Sequence, residues 1–306
     1  MTPQISISQA SSQAPSQASL PIETQFWTWR EHRIAYAVEG EGVPIVLIHG
    51  FGASIGHWRR NIPVLAAAGY RVYALDLLGF GKSDKPLLNY QMELWQEMLQ
   101  DFWRDQIQEP AVFVGNSIGA LLCLMMLANA PEMARAGVLL NAAGGLNHRP
   151  EELNLPLRVV MAAFTKLVSS EVVGPFLFNR IRQKPRLRRT LHQVYRDRTA
   201  VTDELIELIY QPACDPGAQK VFAKILTAPP GPKPEALLPQ VTQPLLILWG
   251  EADPWTPISG ATLYQDRAAH SEQVTFVPIP ETGHCPHDER PERVNQEIIT
   301  WLQHCL

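Results

Sequence analysis

Four short stretches of this 306-residue chain carry the residue types of nucleophilic catalysis. "VGNSIGALLCLMM" (Val114–Met126) sets Ser117 between Gly115 and Gly119. "HGFG" occupies His49–Gly52, "GEADPW" presents Glu251 and Asp253, and "ETGHCPHDERPE" presents His284 and His287. A serine hydroxyl attacks poorly until a base takes its proton, and the base needs a carboxylate to hold its tautomer. The oxygen that becomes negative during the attack needs two N–H donors. The stretches hold a candidate for each part: Ser117 as nucleophile, His284 as base, Asp253 as its carboxylate, and the N–H groups of Phe51 and Ile118 as donors. Glu251 is the second choice of acid, because it stands closer to its strand end, and His287 is the second choice of base.

Each stretch has a plainer reading. A G-x-S-x-G segment arises often by chance, a loop histidine is usually just solvated, and Asp before Pro is a common turn former. The elements around them argue otherwise. "AVFV" before the serine reads as a buried strand, and Ile118–Ala130 reads as a buried helix. A strand that turns into a helix within two residues lifts the corner side chain above the sheet, and small neighbours are needed where the two backbones meet. Gly115, Gly119 and Ala120 supply them. The other three stretches also follow apolar strand-like runs: "PIVLI", "LLILWG" (Leu245–Gly250) and "TFVPIP" (Thr275–Pro280). All four therefore fall at one sheet edge, in the chain order serine, acid, histidine.

The remaining pattern gives the frame. "FWTWREHRIAYAVEG" reads as an antiparallel hairpin, while "RVYALDLLG" and "AGVLLNAAG" read as further buried parallel strands. Amphipathic helices are expected over Glu93–Ile107 and Pro291–His304. Strands alternating with helices give an α/β fold with a mostly parallel central sheet flanked by helices. The alternation stops between 147 and 243, where helical periodicity and frequent prolines suggest an inserted helical cap. The expected organisation is a disordered Ser/Gln-rich tail at 1–22, a core from 23–146 and 244–306, and the cap at 147–243.

With a net charge of −4, the chain does not suggest a nucleic-acid partner. The four cysteines, Cys123, Cys214, Cys285 and Cys305, have no metal or redox spacing and read as reduced thiols. No metal cluster is apparent, the chemistry calls for no cofactor, and no obligate protein partner is evident. The start of the chain lacks the basic and apolar segments of a secretion signal, and no apolar run reaches the roughly 18 residues that a membrane-spanning helix needs.

"HGFGASIGHWRRNIPVL", "LDLLGFGKSDKP", "GNSIG", "LLILWGEADPWTP" and "GHCPHDERPE" resemble the α/β-hydrolase superfamily. Within it they are most similar to the chlorophyll dephytylase and pheophytinase group of plants and cyanobacteria, from Glu23 to Trp301. The likeness extends into the cap at "VTDELIELIYQPACDPGAQKVF". The resemblance implies an α/β-hydrolase fold, a triad of Ser117, Asp253 and His284, and oxyanion donors at Phe51 and Ile118. Asn116 before the serine matches that group, whereas Ala120 stands where the group often has glycine. Haloalkane dehalogenases and epoxide hydrolases share the first motifs but use an elbow aspartate, so Ser117 favours carboxylic-ester hydrolysis. The implied substrate is a bulky apolar ester such as the phytyl ester of chlorophyll or pheophytin.

Two rivals stand beside it: a meta-cleavage C–C hydrolase and a ligand sensor with little turnover. The cap contains the apolar stretch "LPLRVVMAAFTKLVSSEVVGPFLFNRI" followed by the basic "RQKPRLRR". That pairing raises peripheral contact with a membrane surface as an expectation, at a photosynthetic membrane within the cytoplasm.

Overall fold

A computed structural model describes residues 22–147, 149 and 155–306. The tail expected at 1–22 lies outside the described residues except for its last position. Eight strands form one sheet: β1 (Gln25–Trp29), β2 (His32–Glu39), β3 (Val43–Ile48), β4 (Tyr70–Leu75), β5 (Ala111–Asn116), β6 (Ala134–Leu140), β7 (Leu245–Gly250) and β8 (Val274–Ile279). Their order across the sheet is β1-β2-β4-β3-β5-β6-β7-β8. β1 pairs antiparallel with β2, and β2 with β4, so the hairpin forms one edge; every later pairing is parallel.

The parallel strands β3 to β7 are almost wholly buried because both faces of the sheet are covered there, while the edge strand β8 is only partly buried. On one face pack the helices Met92–Phe102 and Ile118–Asn129; on the other pack Ile62–Ala67 and Pro291–Cys305. Ile118–Asn129 is apolar on all sides and buried over Ile118–Leu127, which suits a helix enclosed by the sheet and its neighbours. The helix expected over Glu93–Ile107 differs at its end. It runs regularly over Met92–Phe102, and the last turn widens so that the Gln108 N–H bonds the Trp103 carbonyl at 2.9 Å. Trp27 and Trp29 on β1 donate to Asp105 and Asp101 on this segment, tying it to the hairpin edge.

The chain order reverses between β3 and β5, so the loops leaving those two adjacent strands diverge and leave a crevice at their C-terminal ends. Between β6 and β7 the described residues form helices and turns with no strand, chiefly Leu155–Val168, Val173–Ile181, Lys184–Val194, Asp203–Tyr210 and Ala218–Leu226. This insert lies over the crevice: Phe222 packs on Phe51, and Val194 and Tyr195 pack with Cys285.

Candidate active site

Ser117 occupies the one-residue corner between β5 and the helix Ile118–Asn129. Its φ of 57° and ψ of −119° lie in the region that residues with a Cβ rarely adopt. The corner is held by the Ser117 N–H bond to the Leu140 carbonyl (3.0 Å) and by its own carbonyl, which accepts from Ala143 (3.1 Å). The expected need for small neighbours has a steric cause: a Cβ on Gly115 would stand 2.1 Å from the Gly119 carbonyl oxygen, and one on Gly119 would stand 2.2 Å from that of Ile48.

β7 ends in the loop that carries Asp253, and β8 in the loop that carries His284. Asp253 Oδ2 lies 2.6 Å from His284 Nδ1, so the histidine donates from Nδ1 and leaves Nε2 unprotonated. The other carboxylate oxygen, Oδ1, accepts from the backbone N–H of Trp255 (2.7 Å) and Thr256 (3.1 Å). Asn141 Nδ2 donates to Oδ2 at 2.8 Å, and the Thr256 hydroxyl also donates there. Burial alone would raise the Asp253 pKa; the His284 and Thr256 side chains and the Trp255 N–H outweigh it and hold the carboxyl below its ordinary value. The loop that carries His284 is fixed on two sides. The His284 N–H donates to Val194 of the insert (3.0 Å), and its carbonyl accepts from Asn116 beside the serine (2.9 Å).

The runner-up groups are placed elsewhere. Glu251 is exposed and makes no bond to His284 among the described residues. His287 is fully buried, with its ring 4.1 Å from that of Trp58. Burial, then the nearby His57 and Arg59, pushes its pKa well down, so it sits there as a neutral packing residue.

The loop from His49 to Trp58 passes beside the serine, and two side chains hold it. His49 Nε2 accepts the Leu77 N–H (3.0 Å) while Nδ1 donates to the Gly50 carbonyl (2.7 Å). Asp76 accepts the N–H groups of Ile55 (2.6 Å) and Lys82 (2.7 Å), clamping the "HGFG" and "LDLLGFGKSD" loops to one another. The Phe51 ring lies between Phe80 and Phe222, at centroid distances of 5.7 and 5.9 Å. Neither the Phe51 nor the Ile118 N–H donates to a protein acceptor among the described residues, and both residues flank the serine side of the crevice.

Below the insert, Ser117, His284 and Phe51 line a cavity of about 250 Å³. Its walls are mostly apolar, with Phe178, Ile181, Leu191, Val221 and Ile225 from the insert and Trp255 from the acid loop. Two cations also line it. Lys85 is taken up by Asp215 (2.8 Å) and two carbonyls, whereas among the described residues Arg182 makes one hydrogen bond, to the Ala213 carbonyl (3.1 Å), and lies over the Phe178 ring at 6.0 Å.

Several residues around the site were not legible in the sequence. Asn141 is the clearest: it holds φ at 43°, donates to Asp253, and accepts the Gly250 N–H at 2.9 Å. Its one signal was that β6, like β3, β4 and β7, is followed at once by a polar residue. Asn141→Ala removes a donor from the Asp253 carboxylate, which leaves its negative charge less compensated and so stabilises the protonated imidazole of His284. The acid limb of the kcat/KM profile is therefore expected to move up by about one pH unit; an unmoved limb in a pH titration of ester turnover would show that this side chain does not act on the pair.

A second cluster joins the insert to the core. His57 Nε2 donates to Tyr195 Oη (2.7 Å), Tyr195 donates to Asp288 Oδ2 (2.7 Å), and Arg59 Nη1 lies 2.7 Å from Asp288 Oδ1. Burial lowers the pKa of both His49 and His57 to about 4, partly offset at His57 by Asp288. A histidine with a depressed folded pKa binds fewer protons folded than unfolded, so its stabilising share is complete above about 6.5 and is lost as pH falls toward about 4. His287 adds in the same direction. Asp76, raised by burial to about 6, and Glu289, also raised by burial, act oppositely by holding protons that the unfolded chain would release. The three histidines outweigh the two acids most clearly near the top of the window. Urea unfolding is expected to find the protein about 2 kcal/mol less stable at pH 5 than at pH 7, and equal midpoints would contradict this balance.

A serine on a strained strand-to-helix corner, a carboxylate-bound histidine at the same sheet edge and a helical insert above them define a hydrolase of α/β architecture. The chain belongs to the alpha/beta hydrolase family, whose model matches residues 45–297. It is similar to the chloroplastic pheophytinase of Arabidopsis thaliana, with 25 % identity over 300 residues and 85 % of this chain covered; it spans 61 % of that protein's length. It is also 28 % identical over 258 residues to 2-hydroxymuconate semialdehyde hydrolase of Pseudomonas sp. (strain CF600), with 81 % of each chain covered. Among solved structures it resembles CarC, a serine hydrolase involved in carbazole degradation, with a TM-score of 0.74 and 25 % identity over 92 % of this chain and 99 % of that one.

Proposed function

We propose that this protein is a serine carboxylic-ester hydrolase that acts through an acyl-enzyme on a bulky apolar ester, with the phytyl ester of chlorophyll or pheophytin as the specific substrate class. The observation that carries this reading is the pairing of Asp253 and His284 at 2.6 Å on the wall of an apolar cavity that also exposes Ser117. Ser117 Oγ attacks the ester carbonyl as His284 Nε2 takes its proton. Asp253 holds the Nδ1 proton in place and stabilises the imidazolium. The N–H groups of Phe51 and Ile118 receive the negative oxygen. Collapse breaks the carbonyl–oxygen bond, and the imidazolium returns its proton to the departing alcohol. A water, deprotonated by His284, then releases the acid and restores Ser117.

Arg182 supports a second reading. A 2-hydroxy-6-oxo-dienoic acid, the kind of substrate named for several relatives, carries a carboxylate that a cation can hold, and this guanidinium lines the cavity with one hydrogen bond to a backbone carbonyl. A chromatographic assay separates the readings. Detergent-dispersed pheophytin a and chlorophyll a are tested beside a p-nitrophenyl ester and a 2-hydroxy-6-oxo-dienoic acid. Repeated release of phytol supports the pigment esterase, and cleavage of the simple ester alone keeps the esterase and discards the pigment. Turnover of the dienoic acid alone moves the reaction to C–C bonds. No more than one equivalent from any substrate would leave a ligand sensor.

A further inference from the structure

The most apolar stretch of the insert faces solvent. Across Leu155–Val168, Val173–Ile181 and the turn between them, eight large aliphatic and aromatic residues are exposed, from 36 % at Ile181 to 82 % at Val172, with Val159, Val160, Leu155 and Phe176 at 61–72 %, while Val168 and Phe178 are buried. A helix apolar on most sides is ordinarily enclosed by protein or by lipid. No single helix among the described residues is long and apolar enough to cross a membrane, and these two meet at a bend of 100°. Such a pair makes a shallow wedge that can lie in a bilayer interface without spanning it.

The unpaired charges around the wedge are mostly positive. Arg158, Lys166 and Arg180 lie on the two helices, and Arg186 and Arg189 follow on Lys184–Val194. None of these five is in an ion pair among the described residues, whereas Lys184 and Arg188 beside them are held by Glu207 and Asp203. Glu171 is the one acid within the wedge. A second copy of this chain, docked face to face about a two-fold axis, would set these cations against their own kind. Anionic headgroups would neutralise them while the acyl boundary took up the aliphatic side chains.

We propose that this bent helix pair is a docking surface for a lipid bilayer containing anionic lipids. The same helices turn inward as well: Phe178 and Ile181 line the cavity that reaches Ser117, while Val172 and Phe176 point out. Docking therefore brings the outer face of the cavity wall into contact with the bilayer, where an apolar molecule dissolved in lipid lies closest to the site. The docking itself is independent of which bond is cleaved, and its test uses no substrate.

Flotation with phosphatidylcholine vesicles and with phosphatidylcholine–phosphatidylglycerol vesicles is the measurement. The full chain is expected to partition to the mixed vesicles and to lose affinity as salt rises. Val160→Glu and Val172→Glu should each lower the partition coefficient by about tenfold. Arg186→Ala and Arg189→Ala should each lower it about fivefold on the mixed vesicles and leave weak binding to neutral vesicles unchanged. Unaltered circular dichroism and melting in these surface variants shows that the fold is intact. Absence of partition to either vesicle would overturn the proposal. So would a dimer in size-exclusion chromatography that the two valine variants abolish, since the face would then belong to a second copy.

Discussion

Ser117→Ala is expected to lower kcat/KM on every ester that the protein turns over by at least about 10⁴-fold, since loss of the nucleophile removes the covalent route altogether. Hydrolysis of a p-nitrophenyl ester under steady-state conditions reads the loss. Stability should not follow activity. The positive φ at Ser117 places the Cβ of any L residue in the same strained position, so alanine inherits the strain without adding to it. Ser117→Gly removes that Cβ and should be inactive yet more stable by about 1 kcal/mol. An active Ser117→Ala enzyme would remove the serine from the mechanism. A Ser117→Gly variant less stable than the parent would show that the corner is not strained.

Asp253→Asn should cost about 10³–10⁴-fold in kcat/KM at neutral pH. The direction in which the new amide must lie can be worked out. Two backbone N–H groups, from Trp255 and Thr256, point at Oδ1 and require an acceptor there. The amide nitrogen then takes the Oδ2 position and presents a donor to His284 Nδ1, which becomes the acceptor. The ring proton moves to Nε2, and the base can no longer take the serine proton. The same nitrogen also faces the Asn141 amide, which now has nothing to donate to. Full activity in Asp253→Asn together with loss in Glu251→Gln would transfer the acid's role to Glu251, despite its exposure.

The parts of the site that were legible in the sequence share one property: each stands directly after a strand. Apolar runs before His49, Ser117, Asp253 and His284 locate four strand ends, and parallel order alone then brings them to one edge. The groups that hold those residues in place follow no such rule. His57, Tyr195 and Asp288 are 138 and 93 positions apart along their two hydrogen bonds. Their side chains meet only because the insert folds back on the core, and no local pattern encodes that return. The apolar character of Leu155–Val168 was plain, but its exposure was not. Whether such a helix is enclosed depends on what the rest of the insert leaves uncovered.

The cluster of His57, Tyr195, Asp288 and Arg59 divides the insert into two unequal partners. Tyr195 is buried beneath it, and Asp288 is entirely enclosed. Pulling this end of the insert off the core would withdraw the Tyr195 hydroxyl from between His57 and Asp288 and break both of its buried hydrogen bonds, at a cost of about 1–3 kcal/mol, while Arg59 stays with the carboxylate. The stretch from Lys184 onward is therefore tied to the machinery that it covers. Among the described residues no ion pair ties Leu155–Ile181 to the core, although Phe178 and Ile181 from that stretch shape the cavity. The cavity wall is thus shared between two kinds of support: Phe178 and Ile181 sit on a stretch without such an ion pair, whereas Leu191, Val221 and Ile225 sit on the stretch that the cluster holds. Changes within the 27 contiguous positions from 155 to 181 can reshape the first part of that wall without touching the cluster.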